Sequence, residues 1–291
     1  YSNSGYVLLT QLIEVVSGQP YVDYLQTKIF DPLEMNNTGY EMPQTVISNL
    51  AQGYLLIGDN AYLRATPLDM RLPQGAGGLY STIADLAIWT QWLHDEHREL
   101  TVLNAAAKET LMQPVVPMEP ETSPDTFYGY GLVIDTQFGQ QRIHHDGGIS
   151  GFASSLSHYP EAALTIVVLS NLETAAVSRI AQDLAAIAFQ APYELPTKRE
   201  AIDLDPSLYD KYIGTYQLLP DVQVAIQVTD GEFTAQATGQ EAFVLYPTSE
   251  TDFFAQVGDI TVTFSLAEDQ TVQGFTLYQL GQELFASKIS E

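Results

Sequence analysis

The chain has 291 residues, of which 45% are hydrophobic and 16% are charged. This length suits one large domain or two of ordinary size, and the composition is typical of a sequence that forms a packed core. Eleven Lys and Arg residues stand against 36 Asp and Glu residues, a net charge of -25. Such a surface repels phosphate, so nucleic acid and anionic membranes are disfavoured as partners. The acidity favours a general role in solubility over attraction of a cationic substrate.

The sequence contains no cysteine, which excludes disulfides, thiolate nucleophiles and cysteine-based metal sites. No run of roughly 18 apolar residues predicts a membrane span. No signal peptide is visible, and the chain begins at Tyr1 rather than Met. Any export signal is therefore expected upstream of Tyr1.

Apolar spacing, caps and stops predict four helices: over 4–18, from Pro20 to about Phe30, from Ser81 or Thr82 onwards, and over 173–189. Residues 31–76 are predicted to be irregular. Four strands are predicted: Tyr128 to Ile134, Arg142 to His145, Phe152 to Tyr159 and Leu164 to Leu169. The last is nearly all apolar, so we expect it to be buried on both faces.

The pattern changes after a proline-containing stretch from Ala191 to Pro206, which is the predicted linker. From Leu208 onwards, short runs of alternating polar and apolar residues are separated by turn residues, with no helical pattern between them. Such spacing predicts a small antiparallel barrel or sandwich. The predicted domains are therefore 1–190 and 207–291, joined by a linker over 191–206.

Several catalytic motifs are absent from the chain. There is no Gly-x-Ser-x-Gly elbow, which excludes an α/β-hydrolase, and there is no Gly-rich phosphate-binding loop. A Ser-x-x-Lys nucleophile motif is also excluded within these 291 residues, because none of the five lysines has a Ser three positions before it.

The run from His94 to His97 resembles a metal-binding pattern, with two His residues three apart. Zinc hydrolase helices space their His ligands four apart with a Glu between them. The run is therefore interpreted as a solvated helix end, and no metal or cofactor is predicted.

Two clusters are candidates for chemistry. The run from His144 to Phe152 joins two predicted strands, where a His followed by glycines can place a side chain and a backbone N–H beside a substrate carbonyl. An ordinary hairpin turn is the alternative. At the start of the chain, Tyr1 and Asn3 precede an apolar helix and can point into one cleft, where Tyr1 can shuttle a proton if nearby positive charge lowers its pKa. The alternative is a helix cap formed by Ser2 or Asn3.

Together these clusters resemble the penicillin-recognising serine hydrolases, the class C β-lactamases with their D-aminopeptidase and esterase relatives. Four elements match in order: Tyr1-Ser2-Asn3 with the helix after it, Ile29-Phe30-x-Pro32-Leu33-x-Met35, the Gly-Gly-Leu-x-Ser-Thr-x-x-Asp-Leu stretch of 77–86, and His145-Asp146-Gly147 with Gly151-Phe152. The resemblance implies an α/β (α+β) fold, with a β-lactamase/transpeptidase-like antiparallel sheet flanked by helices. The segment around Tyr209 to Tyr216 resembles the lipocalin-like barrel appended to many relatives.

The implied mechanism is acyl transfer through a serine ester on an amide or ester bond, in a D-amino-acid peptide, an ester or a β-lactam. Tyr1 would be general base and acid, Asn3 would bind the substrate or the motif lysine, and His145 would take the place of the Lys in the family's Lys-Thr-Gly element. Gly147 follows it, and the Gly148 N–H would form half of the oxyanion hole. A His pairs less firmly with carboxylates than Lys does, which favours peptide or ester substrates.

The family's Ser-x-x-Lys motif precedes its Tyr-x-Asn motif, so it is expected upstream of Tyr1, and the chain alone is expected to be inactive. The resemblance also implies a small-molecule or peptide substrate, possible cell-wall origin of that substrate, association with the missing N-terminal segment, and a periplasmic or secreted location. Two other hypotheses stay open: a catalytically dead binding or scaffold protein on the same fold, and a lipocalin-like carrier. The barrel is expected to be structural rather than ligand-binding.

Overall fold

A computed structural model describes residues 1–42, 46–57, 61–95, 100–119, 123–193, 199–220, 222–229, 231–240, 242–255, 260–267, 269–279 and 282–290. The chain divides into two compact units, one made of residues 1–55 and 63–193 and the other of residues 56–62 and 194–291. The domain boundaries at 190 and 207 stay predictions.

The α-helices of the described residues all belong to the first unit. They are α1 (Asn3–Ser17), α2 (Tyr21–Leu25), which continues through a π-helical turn (Gln26–Phe30) into α3 (Asp31–Leu33), α4 (Ile83–His94), α5 (Ala105–Leu111) and α6 (Val177–Ala188). Gly18 ends α1 with a φ of 68°, the left-handed conformation that favours glycine. The hydroxyl of Thr82 caps α4 by accepting the N–H of Asp85, as predicted. No helix in the described part of the chain has the length and apolarity needed to cross a bilayer.

Six antiparallel strands form the central sheet of the first unit, with each strand paired to the next along the chain. They are β5 (Val116–Glu119), β6 (Ser123–Tyr128), β7 (Val133–Gln137), β8 (Gln140–Ile149), β9 (Phe152–Tyr159) and β10 (Leu164–Ser170). The chain has two further short strand pairs among its described residues: β1 (Gly39–Tyr40) with β4 (Leu79–Tyr80), and β2 (Tyr54–Ile57) with β3 (Ala61–Arg64).

Three sequence predictions need correction. The predicted strand from Tyr128 to Ile134 is instead the end of β6, a turn over 129–132, and the start of β7. The apolar run of β10 is an edge strand, in which Ile166 is the only residue that is fully buried. The region predicted to be irregular, 31–76, contains α3 and the short strands β1 to β3.

Two apolar clusters hold the first unit together. One joins the helices through Leu25, Phe30, Leu33, Met35, Trp92, Leu93 and Leu100. The other packs α6 on the sheet through Tyr159, Ile166, Ala181 and Ala185. These contacts remove large apolar surfaces from water and so fix the helices against the sheet.

The second unit contains a nearly closed antiparallel barrel of nine strands. They are β11 (Gly214–Leu219), β12 (Val222–Thr229), β13 (Glu232–Ala237), β14 (Phe243–Val244), β15 (Tyr246–Pro247), β16 (Asp252–Phe254), β17 (Thr261–Leu266), β18 (Val272–Gln279) and β19 (Gln282–Ser290). Its interior is filled by aromatic side chains, among them Tyr212, Tyr216, Phe233, Phe253 and Phe264. Side chains that pack the interior of a small barrel take the space a ligand would need, which favours a structural role over the carrier hypothesis.

Candidate active site

Tyr1 lies directly before α1, and its hydroxyl donates to Asn3 Oδ1 at 2.6 Å. Asn3 is the first residue of α1, while Ser2 caps the helix by accepting the N–H of Gly5 at 3.3 Å. The helix cap proposed as the alternative role is therefore formed by Ser2, which leaves the side chains of Tyr1 and Asn3 to face each other.

The position of Tyr1 depends on a tight contact between α1 and the turn at Gln74–Ala76. The buried hydroxyl of Thr10 in α1 accepts the N–H of Gly75 at 3.1 Å. A Cβ atom at Gly75 would lie 2.5 Å from that hydroxyl, so only glycine fits there. At the end of this turn the carbonyl of Ala76 lies 3.4 Å from the Tyr1 hydroxyl.

His145 comes from β8, yet its ring lies beside Tyr1. The two ring centroids are 5.7 Å apart in an edge-to-face arrangement. The structure therefore brings together three of the five residues predicted to form the site, Tyr1, Asn3 and His145.

Gly147 and Gly148 continue β8 beyond its last pair with β7, Val133 with His144. Backbone groups in an antiparallel strand alternate between its two edges. Since Gln140 pairs with Gln137 at the two-residue turn to β7, even-numbered residues of β8 direct their N–H and C=O groups towards the β7 edge. The N–H of Gly148 therefore faces an edge that β7 does not reach. A Cβ at Gly148 would meet no atom within 4 Å, so the sheet face at Gly148 is also uncovered by the described residues.

Two tyrosines that the sequence interpretation did not assign complete the cluster. Tyr6, one turn along α1, has its hydroxyl 3.1 Å from that of Tyr128 at the end of β6. The Tyr128 hydroxyl lies 3.3 Å from Nε2 of His145, and its ring is 5.9 Å from that of Tyr1. Nothing in the sequence distinguishes these two among 17 tyrosines.

The pKa values of two tyrosine hydroxyls are shifted in the same direction. Partial burial and the neighbouring Tyr6 raise the pKa of Tyr1 above its usual value. Burial and the hydrogen bond with Tyr6 raise the pKa of Tyr128 well above its usual value. Both hydroxyls therefore hold their protons at neutral pH in the described chain, whereas a general base needs the opposite shift.

The run from His94 to His97 begins at the end of a helix, α4, as predicted, but the His94 ring is packed rather than solvated. His97 lies outside the described residues. His94 is half-buried and stacks on His158, so the interpretation as a solvated helix end is wrong for His94. The described residues contain no group of three or more His, Asp or Glu side chains placed to hold a metal ion.

A family model described as Beta-lactamase matches residues 1–190. The chain belongs to the beta-lactamase family. The resemblance carried by Tyr1-Ser2-Asn3 and His145-Asp146-Gly147 is thereby confirmed. A second family model, a domain of unknown function (DUF3471), matches residues 198–288 of this beta-lactamase family chain.

The relatives of this family member include peptidases and penicillin-binding proteins. The chain is 32% identical to "Penicillin-binding protein 4*" of Bacillus subtilis (strain 168), over 97% of the chain and 65% of that protein. It is 27% identical to a "D-aminopeptidase" of Gluconobacter oxydans (strain 621H), over 67% of the chain and 35% of that protein. The chain thus spans less than two thirds of the length of either relative.

A solved structure supports the fold. The octameric penicillin-binding protein homologue from Pyrococcus abyssi aligns with 99% of the chain and 64% of its own length, with a TM-score of 0.58 and 23% identity. The predicted β-lactamase/transpeptidase-like fold followed by a barrel is therefore confirmed.

Proposed function

We propose that the chain supplies the acid–base tyrosine and the substrate-binding strand of a serine hydrolase that cleaves amide or ester bonds through an acyl-enzyme. The observation that supports this most directly is the convergence of Tyr1 and His145 from distant parts of the sequence, with Asn3 hydrogen-bonded to Tyr1. Family membership supports the same conclusion.

The nucleophile of this proposed reaction comes from a Ser-x-x-Lys segment outside the 291 residues. Its serine oxygen attacks the substrate carbonyl carbon while its proton passes to the phenolate of Tyr1. Tyr1 then gives that proton to the departing amine or alcohol as the bond to the carbonyl carbon breaks. Water hydrolyses the resulting serine ester and regenerates the serine.

Tyr1 needs a cation beside it to act in this way, because in the described chain its pKa is raised. The ammonium group of the motif lysine would lower that pKa by stabilising the phenolate. The 291 residues alone are therefore proposed to be inactive, and activity is proposed to appear when the segment with the motif is present.

The open edge of β8 is proposed to hold the substrate. The N–H of Gly148 is aimed at that edge, where it can donate to the oxygen of a tetrahedral intermediate. Gly147 lets a substrate approach the strand, and a side chain in its place would collide with Ser154, whose Oγ lies 2.6 Å from the position of such a Cβ.

The proposed substrates are peptides, amides or esters of D-amino acids. One relative is named a D-aminopeptidase, which supports this class. A β-lactam or a free C-terminal carboxylate is a poorer fit, since His145 stands where a lysine would bind it and the chain has a net charge of -25. We also propose a site of action outside the cytoplasm, on peptides of cell-wall origin, in view of the relative named a penicillin-binding protein.

The test compares the 291-residue chain with a longer protein that contains the upstream segment. Both are treated with a fluorophosphonate and examined by mass spectrometry, and turnover of chromogenic D- and L-amino-acid esters is measured. We expect an adduct on the motif serine and turnover only in the longer protein. Absence of both from the longer protein would replace the proposal with the catalytically dead binding or scaffold protein.

The role of Tyr1 is tested in the longer protein with Tyr1→Phe, and with Tyr130→Phe as the matched control. Tyr130 is 57% exposed and lies in the turn after β6. Loss of a general base typically lowers kcat by a factor of about 100 to 10,000. We expect such a loss for Tyr1→Phe and none for Tyr130→Phe, and unchanged turnover in Tyr1→Phe would remove Tyr1 from the mechanism.

A further inference from the structure

A continuous set of hydrogen bonds links two tyrosines to His145. The hydroxyls of Tyr6 and Tyr128 are 3.1 Å apart, and the Tyr128 hydroxyl is 3.3 Å from Nε2 of His145. On the other side of the ring, Nδ1 of His145 is 2.6 Å from the carbonyl oxygen of Asp146. Both imidazole nitrogens therefore have a partner within the protein.

Chemistry fixes the direction of each of these hydrogen bonds. A carbonyl oxygen only accepts, so Nδ1 of His145 must carry the proton and donate it to Asp146. A neutral imidazole has one N–H, so Nε2 is then an acceptor, and the donor to it is the hydroxyl of Tyr128. The oxygen of Tyr128 in turn accepts from Tyr6.

The surrounding backbone is built to allow this arrangement. Gly131 has a φ of 87°, and a Cβ there would lie 3.2 Å from the Tyr6 hydroxyl. The N–H of Gly129 donates to Leu132 at 2.8 Å and closes the turn that follows Tyr128. The raised pKa of Tyr128 keeps its hydroxyl protonated, so it stays a donor over the range in which imidazole is neutral.

We propose that Tyr128 is a positioning residue that occupies the Nε2 lone pair of His145 and so reinforces the Nδ1–H tautomer that the Asp146 carbonyl selects. In this state neither ring nitrogen offers an N–H to the substrate. A substrate carboxylate beside His145 therefore finds no donor on the neutral ring, whereas an uncharged ester or amide needs none. Tyr128 thereby contributes to specificity against free carboxylates, a consequence that rests on the proposed function.

The tautomer is measured directly by NMR on the 291-residue chain, without any need for catalysis. The imidazole nitrogens are labelled with 15N, and the His145 signals are assigned by their loss in His145→Gln. At a pH where the ring is neutral, we expect Nδ1 to be protonated and Nε2 to be an unprotonated acceptor. A protonated Nε2 in the wild-type chain would overturn the proposal.

Variants then separate Tyr128 from its neighbours. Tyr128→Phe removes only the hydroxyl and keeps the ring, so we expect Nε2 of His145 to lose its hydrogen bond and the share of the Nε2–H tautomer to rise above the wild-type value. The Asp146 carbonyl still favours Nδ1–H in this variant. Tyr6→Phe should move the Nε2 signal in the same direction by a smaller amount, because it removes only the second hydrogen bond. Tyr130→Phe is the control and should change neither signal. Unchanged His145 signals in Tyr128→Phe would contradict the proposal.

Specificity is measured in the longer protein with the motif serine, on matched D-amino-acid peptides that have an amidated or a free C-terminus. We expect kcat/KM for the amidated peptide, divided by kcat/KM for the free-acid peptide, to fall about tenfold in Tyr128→Phe. A change of this size corresponds to about one hydrogen bond between His145 and the substrate carboxylate. An unchanged ratio in an active protein would refute the specificity role. No turnover in the wild type would refute the proposed function instead, and the tautomer would still be decided by NMR.

Discussion

His94 and His158 stack their imidazole rings with centroids 3.7 Å apart and planes inclined by 23°. His94 is the last residue of α4 and His158 lies in β9, so the pair joins a helix to the central sheet. Nδ1 of His158 is 2.9 Å from the Thr165 hydroxyl. Nε2 of His94 is buried and has no hydrogen-bond partner among the described residues. A protonated His94 would thus place an unsolvated charge against a second imidazole.

This pair predicts that the first unit becomes less stable as the pH falls from about 6.5 to about 4. Burial, His158 and Lys108 lower the pKa of His94 to about 4, below the value of about 6.5 in an unfolded chain. Between these values the unfolded state binds more protons, so acid favours unfolding. Because His94 is only half-buried, we expect an effect of about 1 to 2 kcal/mol, less than the full shift implies.

The measurement is urea unfolding at pH 7 and pH 4.5, followed by tryptophan fluorescence. Both tryptophans of the chain, Trp89 and Trp92, lie in α4 beside His94, so they report on this unit. His94→Phe keeps a ring against His158 but cannot titrate, and it should lose less stability between the two pH values than the wild type. An equal loss in both proteins would exclude His94 as the cause.

We expect Lys108 to stabilise the folded state, because its side chain is buried against the end of α4. Only 2% of the residue is exposed, and its ammonium group donates to the carbonyls of Trp92 at 2.9 Å and Asp95 at 2.5 Å. It also lies 4.7 Å from the centre of the Trp92 ring. A cation at a helix C-terminus stabilises both the carbonyls and the helix dipole.

Lys108→Met keeps most of the side-chain volume but leaves those carbonyls without this donor. We expect the free energy of unfolding to fall by about 2 to 4 kcal/mol. Lys28→Met is the control, since Lys28 is only half-buried, and it should change stability by about 0.5 kcal/mol or less. Similar effects in both variants, by urea unfolding, would show that Lys108 has no special role.

We also expect the ion pair of Asp135 and Arg142 to stabilise the folded state. A second, more exposed ion pair in the same chain serves as the control. They face each other on β7 and β8, with Nε to Oδ1 at 2.9 Å and Nη2 to Oδ2 at 2.5 Å, and their side chains are 14% and 17% exposed. Asp69 and Arg71 form the same two-point contact, but with side chains 36% and 67% exposed. The pairs therefore differ in burial and in the His144 ring, whose Nε2 lies 3.4 Å from Asp135 Oδ2.

We expect Asp135→Asn to cost about 2 to 4 kcal/mol, because it leaves Arg142 unpaired in a largely buried position. Asp69→Asn should cost much less, because solvent screens the exposed Asp69–Arg71 pair. Burial would raise the pKa of Asp135, but the hydrogen bonds from Arg142 and the nearby His144 ring, whose Nε2 is 3.4 Å from Asp135 Oδ2, outweigh it and hold that pKa well below its usual range. The stabilisation by Asp135 is present above about pH 4 and is lost as the pH falls towards the pKa of Asp135 in the folded chain. This loss therefore occurs at lower pH than the loss of stability caused by protonation of His94. Equal losses for the two variants at pH 7 would contradict the argument.

Local patterns in the sequence were enough to predict much of the fold. Gly18 ends α1 and Thr82 caps α4 because these choices depend on a few neighbouring residues. The edge position of β10 could not be predicted, since an apolar run looks the same in a central strand and in an edge strand covered by helices. The turn after Tyr128 was missed because its alternating apolar residues continue the pattern of a strand.

The candidate site was predictable only where residues adjacent in sequence form a motif. Tyr1 with Asn3, and His145 with Gly147, are such cases. Tyr128 pairs with Val133 and Val133 with His144, so the end of β6 lies two strands from the segment of β8 that contains His145. A register depends on pairing across the whole sheet, so the contact of the Tyr128 hydroxyl with His145 could not be predicted from the sequence. The tyrosine network therefore required the structure.

The conformation of the turn between β8 and β9 leads to a final prediction about stability. It also concerns the edge of β8 at Gly148, where the substrate is proposed to bind. Gly151 has a φ of 85°, and a Cβ there would lie 2.5 Å from the Cβ of Ala65 and 2.8 Å from the Cα of Gly53. Gly139, in the turn between β7 and β8, has a similar φ of 73°, but a Cβ there would meet no atom within 4 Å. The two glycines thus share the strain of a left-handed residue and differ in the collision.

Gly139→Ala should therefore cost only the strain, about 1 kcal/mol, whereas Gly151→Ala should cost about 3 kcal/mol or more. Relief of the collision requires the β8–β9 turn to move, and this turn closes the strand that contains Gly148. We expect Gly151→Ala, but not Gly139→Ala, to change the amide NMR signals of residues 145–149 in addition to lowering the urea midpoint. If Gly151→Ala and Gly139→Ala lower stability equally, the contact with Ala65 and Gly53 does not hold this turn, and the Gly148 edge must be positioned by the sheet alone.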